Sequence, residues 1–112
     1  MGCPTFRPYP QARYAVIFCT QHSGKSREAY ESTSQKLMEL VSDMEGFLGI
    51  ESVRDENGMG ISVSYWTTVE AIENWRKQPT HLEAQRNGKN LWYSSFSTRV
   101  CQIERESFHP PV

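Results

Sequence analysis

The chain has 112 residues, enough for one domain with a single core and too few for two. Its 12 basic and 13 acidic residues give a net charge of -1, and neither sign gathers in a block that would neutralise phosphates or dock on an anionic membrane. No apolar run approaches the roughly 20 residues of a membrane-spanning helix, and the Pro-rich start MGCPTFRPYP lacks the apolar segment of a signal peptide. We therefore expect a cytoplasmic protein whose partner is neither nucleic acid nor a membrane.

The first part of the chain predicts an arm, a strand and a helix. Residues 1–12 are Pro-rich and read as an extended arm. Tyr14 to Cys19, YAVIFC, is apolar at nearly every position, which is typical of a strand covered on both faces. From Ser26 to Met44, apolar residues recur at a spacing of three and four, which predicts a helix with Ser26 as its N-cap and Gly46 as its stop.

The middle of the chain predicts a hairpin. Phe47 to Arg54 and Gly60 to Trp66 are strand-like runs joined by DENG. The Asn57-Gly58 pair in that turn favours a tight hairpin, because both residues tolerate positive φ.

The last part predicts a broken helix and a fourth strand. Thr67-x-x-Glu70 is a capping box that opens a helix through about Lys77. Pro79 ends that helix and begins a second short one that runs to Gly88. The segment from Leu91 to Ile103 alternates as a strand, and residues 107–112 form a tail.

The element order predicts an α+β fold of the ferredoxin-like split βαβ type, β-α-β-β-α-β, over residues 13–106. Helices connected in this way cover only one face of a four-stranded sheet. The other face of YAVIFC would be exposed in a monomer, so we predict a homodimer joined sheet to sheet.

The three cysteines, Cys3, Cys19 and Cys101, are widely spaced and include no CxxC pair. They predict neither a disulfide framework nor a zinc site. Cys19 and Cys101 lie in strand-like runs, where a buried small hydrophobic residue is the simplest interpretation.

Two rows of small polar residues interrupt the apolar strands. Ser62 and Ser64 alternate along the third strand towards Trp66, and Ser95 and Ser97 repeat the pattern in the fourth. Two interpretations stay open: the serines line a pocket between sheet and helices, or they face solvent or water inside a dimer barrel.

His81 is the ionisable side chain of interest, since histidine can act near neutral pH as an acid, a base or a metal ligand. The alternative is a surface or helix-cap role in the first turn of a short helix. His22 falls in a predicted loop and His109 in the tail, so no second histidine is close in sequence and a metal site is not expected.

Two arginines have structural and functional interpretations. Arg76, near a helix end, complements the helix dipole or anchors a substrate oxygen. Arg99 lies in mid-strand and is expected to pair with Glu70 or Glu73. The sequence contains no recognisable Ser-His-Asp arrangement, Gly-rich phosphate loop or paired carboxylates, so hydrolase and nucleotide-binding functions have no support.

The run GFLGIESVRDENGMGISVSYWTTVEAIENWR, followed by HLEAQRNG and WYSSFSTRVCQIER, resembles the antibiotic biosynthesis monooxygenase family of small dimeric α+β barrel proteins. The resemblance covers roughly Tyr14 to Arg105. It implies a ferredoxin-like fold, a homodimer whose sheets form a shared barrel, and a pocket between sheet and helices. Characterised members of the family oxidise aromatic polyketides with molecular oxygen and no metal or flavin, while related ones bind and degrade heme.

On this resemblance we expect a monooxygenase without cofactors that oxidises a small aromatic or quinone-like molecule. The deprotonated substrate would itself donate an electron to oxygen in a dry pocket. His81 is expected to be the catalytic proton acceptor or donor. The expected substrate-binding residues are Trp66, Trp75, Arg76, Gln85, Trp92, Ser62 and Ser64.

Two alternatives remain. A dimer of this fold that binds a small ligand or serves a stress response without catalysis fits nearly as well. Heme-degrading relatives place an axial histidine ten residues after a tryptophan, and counting from Trp75 that position is Gln85. Glutamine is a poor ligand for heme iron, so heme binding is disfavoured.

Overall fold

The computed structural model describes Tyr9 and residues 11–109 of the chain. In chain order its elements are β1 (Tyr14–His22), α1 (Arg27–Ser42), β2 (Phe47–Arg54), β3 (Met59–Trp66), α2 (Val69–Arg76), α3 (Pro79–Asn87), a π-helical turn (Gly88–Trp92) and β4 (Tyr93–Gln102). This order confirms the predicted α+β ferredoxin-like split βαβ fold, with its second helix broken at Pro79. Most of the expected arm and the end of the expected tail lie outside the described residues.

The four strands form one antiparallel sheet in the order β2-β3-β1-β4. β1 is therefore central, with Tyr14 opposite Trp66 on β3 and Gln102 on β4. On one face of β1, Tyr14 and Val16 pack against the core beneath the helices, and on the other face Ala15, Ile17 and Cys19 lie on the side away from the helices. The apolar run therefore supplies both faces of the strand.

The core lies between β3 and the helices. Trp66 is only 1% exposed and packs with Val41 of α1 and Ala71 and Ile72 of α2, while Trp75 closes the cluster from its edge. Burying so large a ring anchors both helices to the same end of the sheet.

The two expected boundary residues of α1 lie at its ends, but neither acts in the usual way. Ser26 occupies the N-cap position, but its φ of 54° is left-handed and its side chain makes no capping hydrogen bond. The helix ends at Ser42, before Gly46, whose φ is +88°. A Cβ at Gly46 would lie 2.5 Å from the Ala71 Cβ, so the glycine is required because α2 packs against this turn.

The hairpin forms where predicted, with a different turn. Gly58 has positive φ and Asn57 does not, so the turn is not the type expected from two left-handed residues. Instead the Asp55 carboxylate accepts hydrogen bonds from the backbone N–H groups of Asn57 and Met59, both at 2.9 Å. An Asp-stabilised turn that ends in a left-handed glycine joins the strands.

The capping prediction for α2 is wrong by one residue. The N-cap is Thr68, whose hydroxyl accepts from the Ala71 backbone N–H at 3.0 Å, and Thr67 instead donates its own backbone N–H to the Gly46 carbonyl. β4 begins at Tyr93, because Leu91 belongs to the π-helical turn rather than to the strand.

The face of the sheet away from the helices carries exposed apolar residues. Val53 and Ile61 are 62% and 47% exposed there. Cys19 and Cys101 lie on the same face and are only partly buried, which corrects the expectation of buried cysteines. We call this side the open face.

Among the described residues, none of the helices is long and apolar enough to cross a membrane.

Candidate functional site

The serine row of β3 lies on the helix-covered side of the sheet. Ser64 accepts a hydrogen bond from the Trp66 indole N–H at 2.9 Å. The N–H edge of the buried ring therefore points towards the residue two positions earlier in β3. Ser62, half-buried and next along the row, lies opposite Phe18 of β1. The first serine row therefore faces the region where a pocket was expected.

The second serine row does not join it. Ser95 and Ser97 pair with Gln21 and Cys19 and so lie on the open face. The helix side of β4 instead carries Phe96 and Val100, which are 47% and 52% exposed. Of the two interpretations of the serines, a single pocket lined by both rows is excluded, because the register of β4 places Ser95 and Ser97 on the opposite face.

The helices cover only half of their side of the sheet. α1 contacts β2 and α2 contacts β3. The large apolar side chains of β4 are left uncovered, as the exposure of Phe96 and Val100 shows. The helix side of the sheet is therefore open to solvent along β4.

His81 lies at the junction of α2 and α3. Its ring stacks on Trp75 with centroids 4.3 Å apart, and its Nδ1 is 2.9 Å from the Trp75 carbonyl oxygen. Because a carbonyl only accepts, Nδ1 carries the proton and Nε2 carries a lone pair. Burial lowers the pKa of His81, although the hydrogen bond to Trp75 raises it in part, so the ring is neutral at pH 7.

The other expected residues around His81 have protein partners. Arg76 forms an exposed ion pair with Glu73 at 2.7 Å. Gln85 donates its amide N–H to the Arg76 carbonyl at 2.9 Å, which ties α3 to the end of α2. These contacts give Arg76 and Gln85 structural roles. The side-chain amide of Gln85 already donates to a backbone carbonyl of the protein.

Arg99 does not pair with either expected carboxylate. It lies on the open face, where its guanidinium donates to the Ser97 hydroxyl at 3.1 Å, while Glu73 pairs with Arg76. The prediction is wrong because α2 packs on the other side of the sheet.

A second polar group, not found in the sequence, lies at the far end of the helix side. Arg54, the last residue of β2, donates through Nη2 to the Tyr30 hydroxyl at 2.9 Å and, at 3.5 Å, to the hydroxyl of buried Thr20. Its guanidinium carbon lies 5.5 Å from the centre of the Tyr30 ring. A Cβ at Gly60 would lie 2.9 Å from Nη2, so the glycine leaves the space that Arg54 fills. We call Thr20, Tyr30, Arg54 and Gly60 the Arg54 patch.

Aromatic rings surround this patch. Tyr30 makes edge contacts with His22, Trp92 and Tyr93 at centroid distances of 4.7, 5.5 and 5.8 Å. Burial, together with a hydrogen bond to Tyr30, raises the pKa of Tyr93. Trp92, expected as a pocket wall, is thus a buried member of this cluster, at the end of the π-helical turn that follows α3.

His22 is the last residue of β1 rather than part of a loop. The backbone N–H of Gly24 donates to its Nδ1 at 2.9 Å, so Nε2 must carry the proton. Burial first, and then the charges of Arg54 and Arg27, lower the pKa of His22, while Glu31 raises it in part. The two histidines are therefore both neutral, but His81 offers an acceptor where His22 offers a donor.

The two groups are far apart. His81 packs beside the Trp66 end of β3, whereas Arg54 lies over Gly60, six residues back along the same strand. At the rise of a β-strand this corresponds to about 20 Å. One small molecule does not reach both. Among the described residues, no group of three His, Cys, Asp or Glu side chains is placed to hold a metal ion.

Known proteins with similar sequences include the uncharacterized protein YqjZ of Bacillus subtilis, which is 41% identical over 93 residues, covering 83% of this chain and 81% of that protein. Jasmonate monooxygenase ABM of Pyricularia oryzae is 28% identical over 94 residues, covering 80% of this chain and 43% of the enzyme.

Solved structures share the fold at low sequence identity. SnoaB, a cofactor-independent oxygenase from Streptomyces nogalater, matches with a TM-score of 0.72 at 15% identity, covering 88% of this chain and 98% of SnoaB. Rv0793 of Mycobacterium tuberculosis matches with a TM-score of 0.73 at 14% identity, covering 87% of this chain and all (100%) of that protein.

The sequence profile of the antibiotic biosynthesis monooxygenase family matches residues 13–87, which is more than half of the chain. These residues run from the start of the sheet to the end of α3 and include His81, the core tryptophans and the Arg54 patch. The chain belongs to the antibiotic biosynthesis monooxygenase family.

Proposed function

We propose that this protein is a monooxygenase that needs no cofactor and oxidises a small aromatic or quinone-like molecule with molecular oxygen. Family membership supports the class of reaction, as do the names of two relatives, a cofactor-independent oxygenase and a jasmonate monooxygenase. The observation that carries the proposal is the state of His81, a neutral imidazole whose Nδ1–H is held by the Trp75 carbonyl.

His81 is proposed as the proton acceptor. With Nδ1 fixed as a donor to the backbone, the lone pair on Nε2 is available to take a proton from a substrate hydroxyl. A lowered pKa keeps the ring neutral at pH 7, which is the state a base requires. The stacked indole of Trp75 limits the rotation of the imidazole and so orients Nε2.

The chemistry balances without an external reductant when the substrate is a quinol. His81 takes the hydroxyl proton, and the electron-rich anion donates electrons to oxygen. One oxygen atom then replaces a ring C–H by C–OH and the other leaves as water, so that quinol plus O2 gives hydroxyquinone plus H2O. All four electrons that reduce O2 come from the ring, two from quinol oxidation and two from hydroxylation. Trp75 is proposed to line the substrate site beside His81, and Ser62 to extend it along β3. Trp66, whose ring is buried in the core, supports the fold around the site together with Arg76, Gln85, Ser64 and Trp92.

Oxygen uptake with a panel of substituted hydroquinones tests the proposal. We expect His81→Asn to lower the rate by about 10²- to 10⁴-fold, since asparagine can keep a donor to the Trp75 carbonyl but has no basic nitrogen. His109→Asn, on an exposed part of the chain, is the matched control and should keep the full rate.

Labelling with 18O2 identifies the reaction type. A monooxygenase places one labelled atom in the hydroxyquinone and one in water. Unlabelled quinone with hydrogen peroxide would show an oxidase, and full activity in a folded His81→Asn protein would remove His81 from the mechanism. No oxygen uptake with any quinol would favour the ligand-binding alternative.

We also propose that the protein acts as a homodimer whose subunits meet through their open faces. Exposed Val53, Met59 and Ile61 and partly buried Ile17 and Val63 form an apolar surface there, and such surfaces mark contacts between proteins. In this arrangement the helix sides, with His81 and Trp66, face outwards in both copies.

A further inference from the structure

The charge of Arg54 has no carboxylate partner in the described part of the chain. Its three acceptors among the described residues are the Gly58 carbonyl, at 2.8 Å, and the Tyr30 and Thr20 hydroxyls. Neutral oxygens orient a guanidinium but do not neutralise it. The patch therefore has a positive charge held in place and available to an anion.

Arg54 also has hydrogen-bonding capacity to spare. A guanidinium has five N–H groups. Nη2 uses its two on Tyr30 and Thr20, and Nη1 uses one on Gly58. The N–H on Nε and the second on Nη1 have no protein acceptor among the described residues, so an incoming oxygen can accept from either.

Two more donors beside Tyr30 are unsatisfied. The indole N–H of Trp92, a residue only 4% exposed, has no hydrogen-bond partner among the described residues, and neither has Nε2 of His22, which carries a proton. Buried donors without acceptors are uncommon in folded proteins. Both rings contact Tyr30, so the two donors lie in the aromatic cluster that borders the patch.

An apolar surface lies next to the charge. Phe96, Thr20, Gly60 and Arg54 occupy one row across the sheet on its helix side, with Phe96 on the uncovered strand β4. Phe96 is two strand spacings from Gly60, or about 10 Å. Its ring is 47% exposed and contacts Phe18 and Tyr93. A small molecule with a flat ring against Phe96 and an anionic group on the Arg54 guanidinium would span this distance.

We propose that the Arg54 patch is a binding site for a small aromatic carboxylate, with the carboxylate on Arg54 and the ring against Phe96. The site is about 20 Å along the sheet from the Trp66 end, where His81 packs, and does not depend on the oxygenase reaction. Gly60 is part of it, because a side chain at that position would displace the guanidinium.

Calorimetric titration with benzoate tests the site, with benzamide as the neutral analogue of the same shape. We expect saturable binding of benzoate and binding of benzamide about tenfold weaker or worse. Arg54→Gln should weaken benzoate by a similar factor. Gly60→Ala should do the same while leaving Arg54 in the sequence. Arg99→Gln removes an exposed arginine from the open face of the same sheet and should leave benzoate binding unchanged.

The indole N–H signals in a 15N spectrum supply a second readout. The protein has three tryptophans, and Trp92→Phe assigns the signal of interest. Benzoate should shift the Trp92 signal and leave that of Trp66, whose N–H is held by Ser64, in place. Equal binding of benzoate and benzamide, equal loss in Arg99→Gln, or no saturable binding of benzoate would overturn the proposal. Each result is obtained without oxygen or turnover, so it is independent of the monooxygenase assay.

Discussion

At the scale of single residues, the molecule contains two neutral histidines with opposite hydrogen-bonding roles. The sequence identified His81 because it lies within a family-like motif, but its contact with the carbonyl of Trp75, six residues earlier, appears only in three dimensions. No sequence pattern marked Arg54 as a site residue, because its partners Tyr30 and Thr20 are 24 and 34 residues away. Side-chain roles of this kind depend on which faces meet, and residue spacing alone does not determine that.

We expect His22 and His81 to lower the stability of the protein in mild acid. In the unfolded chain they take up protons near the ordinary value of 6.5, whereas burial lowers the folded pKa of each. The unfolded state therefore binds more protons as pH falls through 6.5, and the free energy of unfolding decreases there. Above that pH the two states bind equally few protons and this contribution is constant.

Urea denaturation at about pH 7.5 and about pH 5.5 measures the effect. We expect a lower midpoint at the acidic pH, and a smaller decrease in His81→Asn because one of the two groups is removed. An unchanged pH dependence in His81→Asn would contradict the buried, neutral state of this ring.

At the scale of elements, the order of strands and helices followed from periodicity, whereas the caps and turns did not. The alternation in β3 and β4 and the break at Pro79 were predicted correctly, since each reflects a strong local constraint. Thr67 and Thr68 satisfy the same cap preference, and only the path of the chain into α2 selects the second. The partners of Ser95 and Ser97 depend on the register of β4, which the sequence did not specify.

Threonine variants test the corrected cap. Thr68→Ala should lower the free energy of unfolding by about 1 kcal/mol, because the Ala71 N–H loses its acceptor. Thr67→Ala should cost less, since Thr67 uses its backbone rather than its side chain to contact Gly46. Chemical denaturation of the two variants gives the comparison, and a larger loss in Thr67→Ala would restore the original assignment.

A comparison of Gly46 and Gly24, which both have positive φ, separates the cost of backbone strain from the cost of a steric clash. Gly46→Ala should cost about 2–4 kcal/mol, because it combines a left-handed backbone with a clash against Ala71. Gly24→Ala has a φ of +83° and no atom within 4 Å of the added Cβ, so it should cost only about 1–2 kcal/mol. Thermal unfolding of both proteins measures the difference, and equal losses would show that α2 does not constrain the Gly46 turn.

At the scale of the whole molecule, the two faces of the sheet have different proposed roles. The helix side carries the proposed oxygenase residues and the Arg54 patch, and the open face carries the apolar surface proposed for the dimer. Because β1 is central and apolar on both faces, it contributes to the core on one side and to that surface on the other.

Sedimentation tests the dimer. We expect the parent protein to sediment as a dimer and Ile61→Lys as a monomer, since a charge at this position would be buried without a partner. Val100→Lys places the same charge on an equally exposed residue of the helix side and should leave the dimer intact. Dimeric Ile61→Lys together with monomeric Val100→Lys would assign the interface to the other face.

The contact of Tyr9 with the open face limits how two copies can be arranged. Its ring stacks on Tyr65 at 4.9 Å and occupies the space that a side chain on Gly49 would need. That corner of the sheet is therefore filled from within the chain. In the proposed dimer, a second subunit placed over Gly49 would meet the tyrosine ring, so Tyr9 would limit the offset of the two sheets and, through it, the distance between their outward-facing sites.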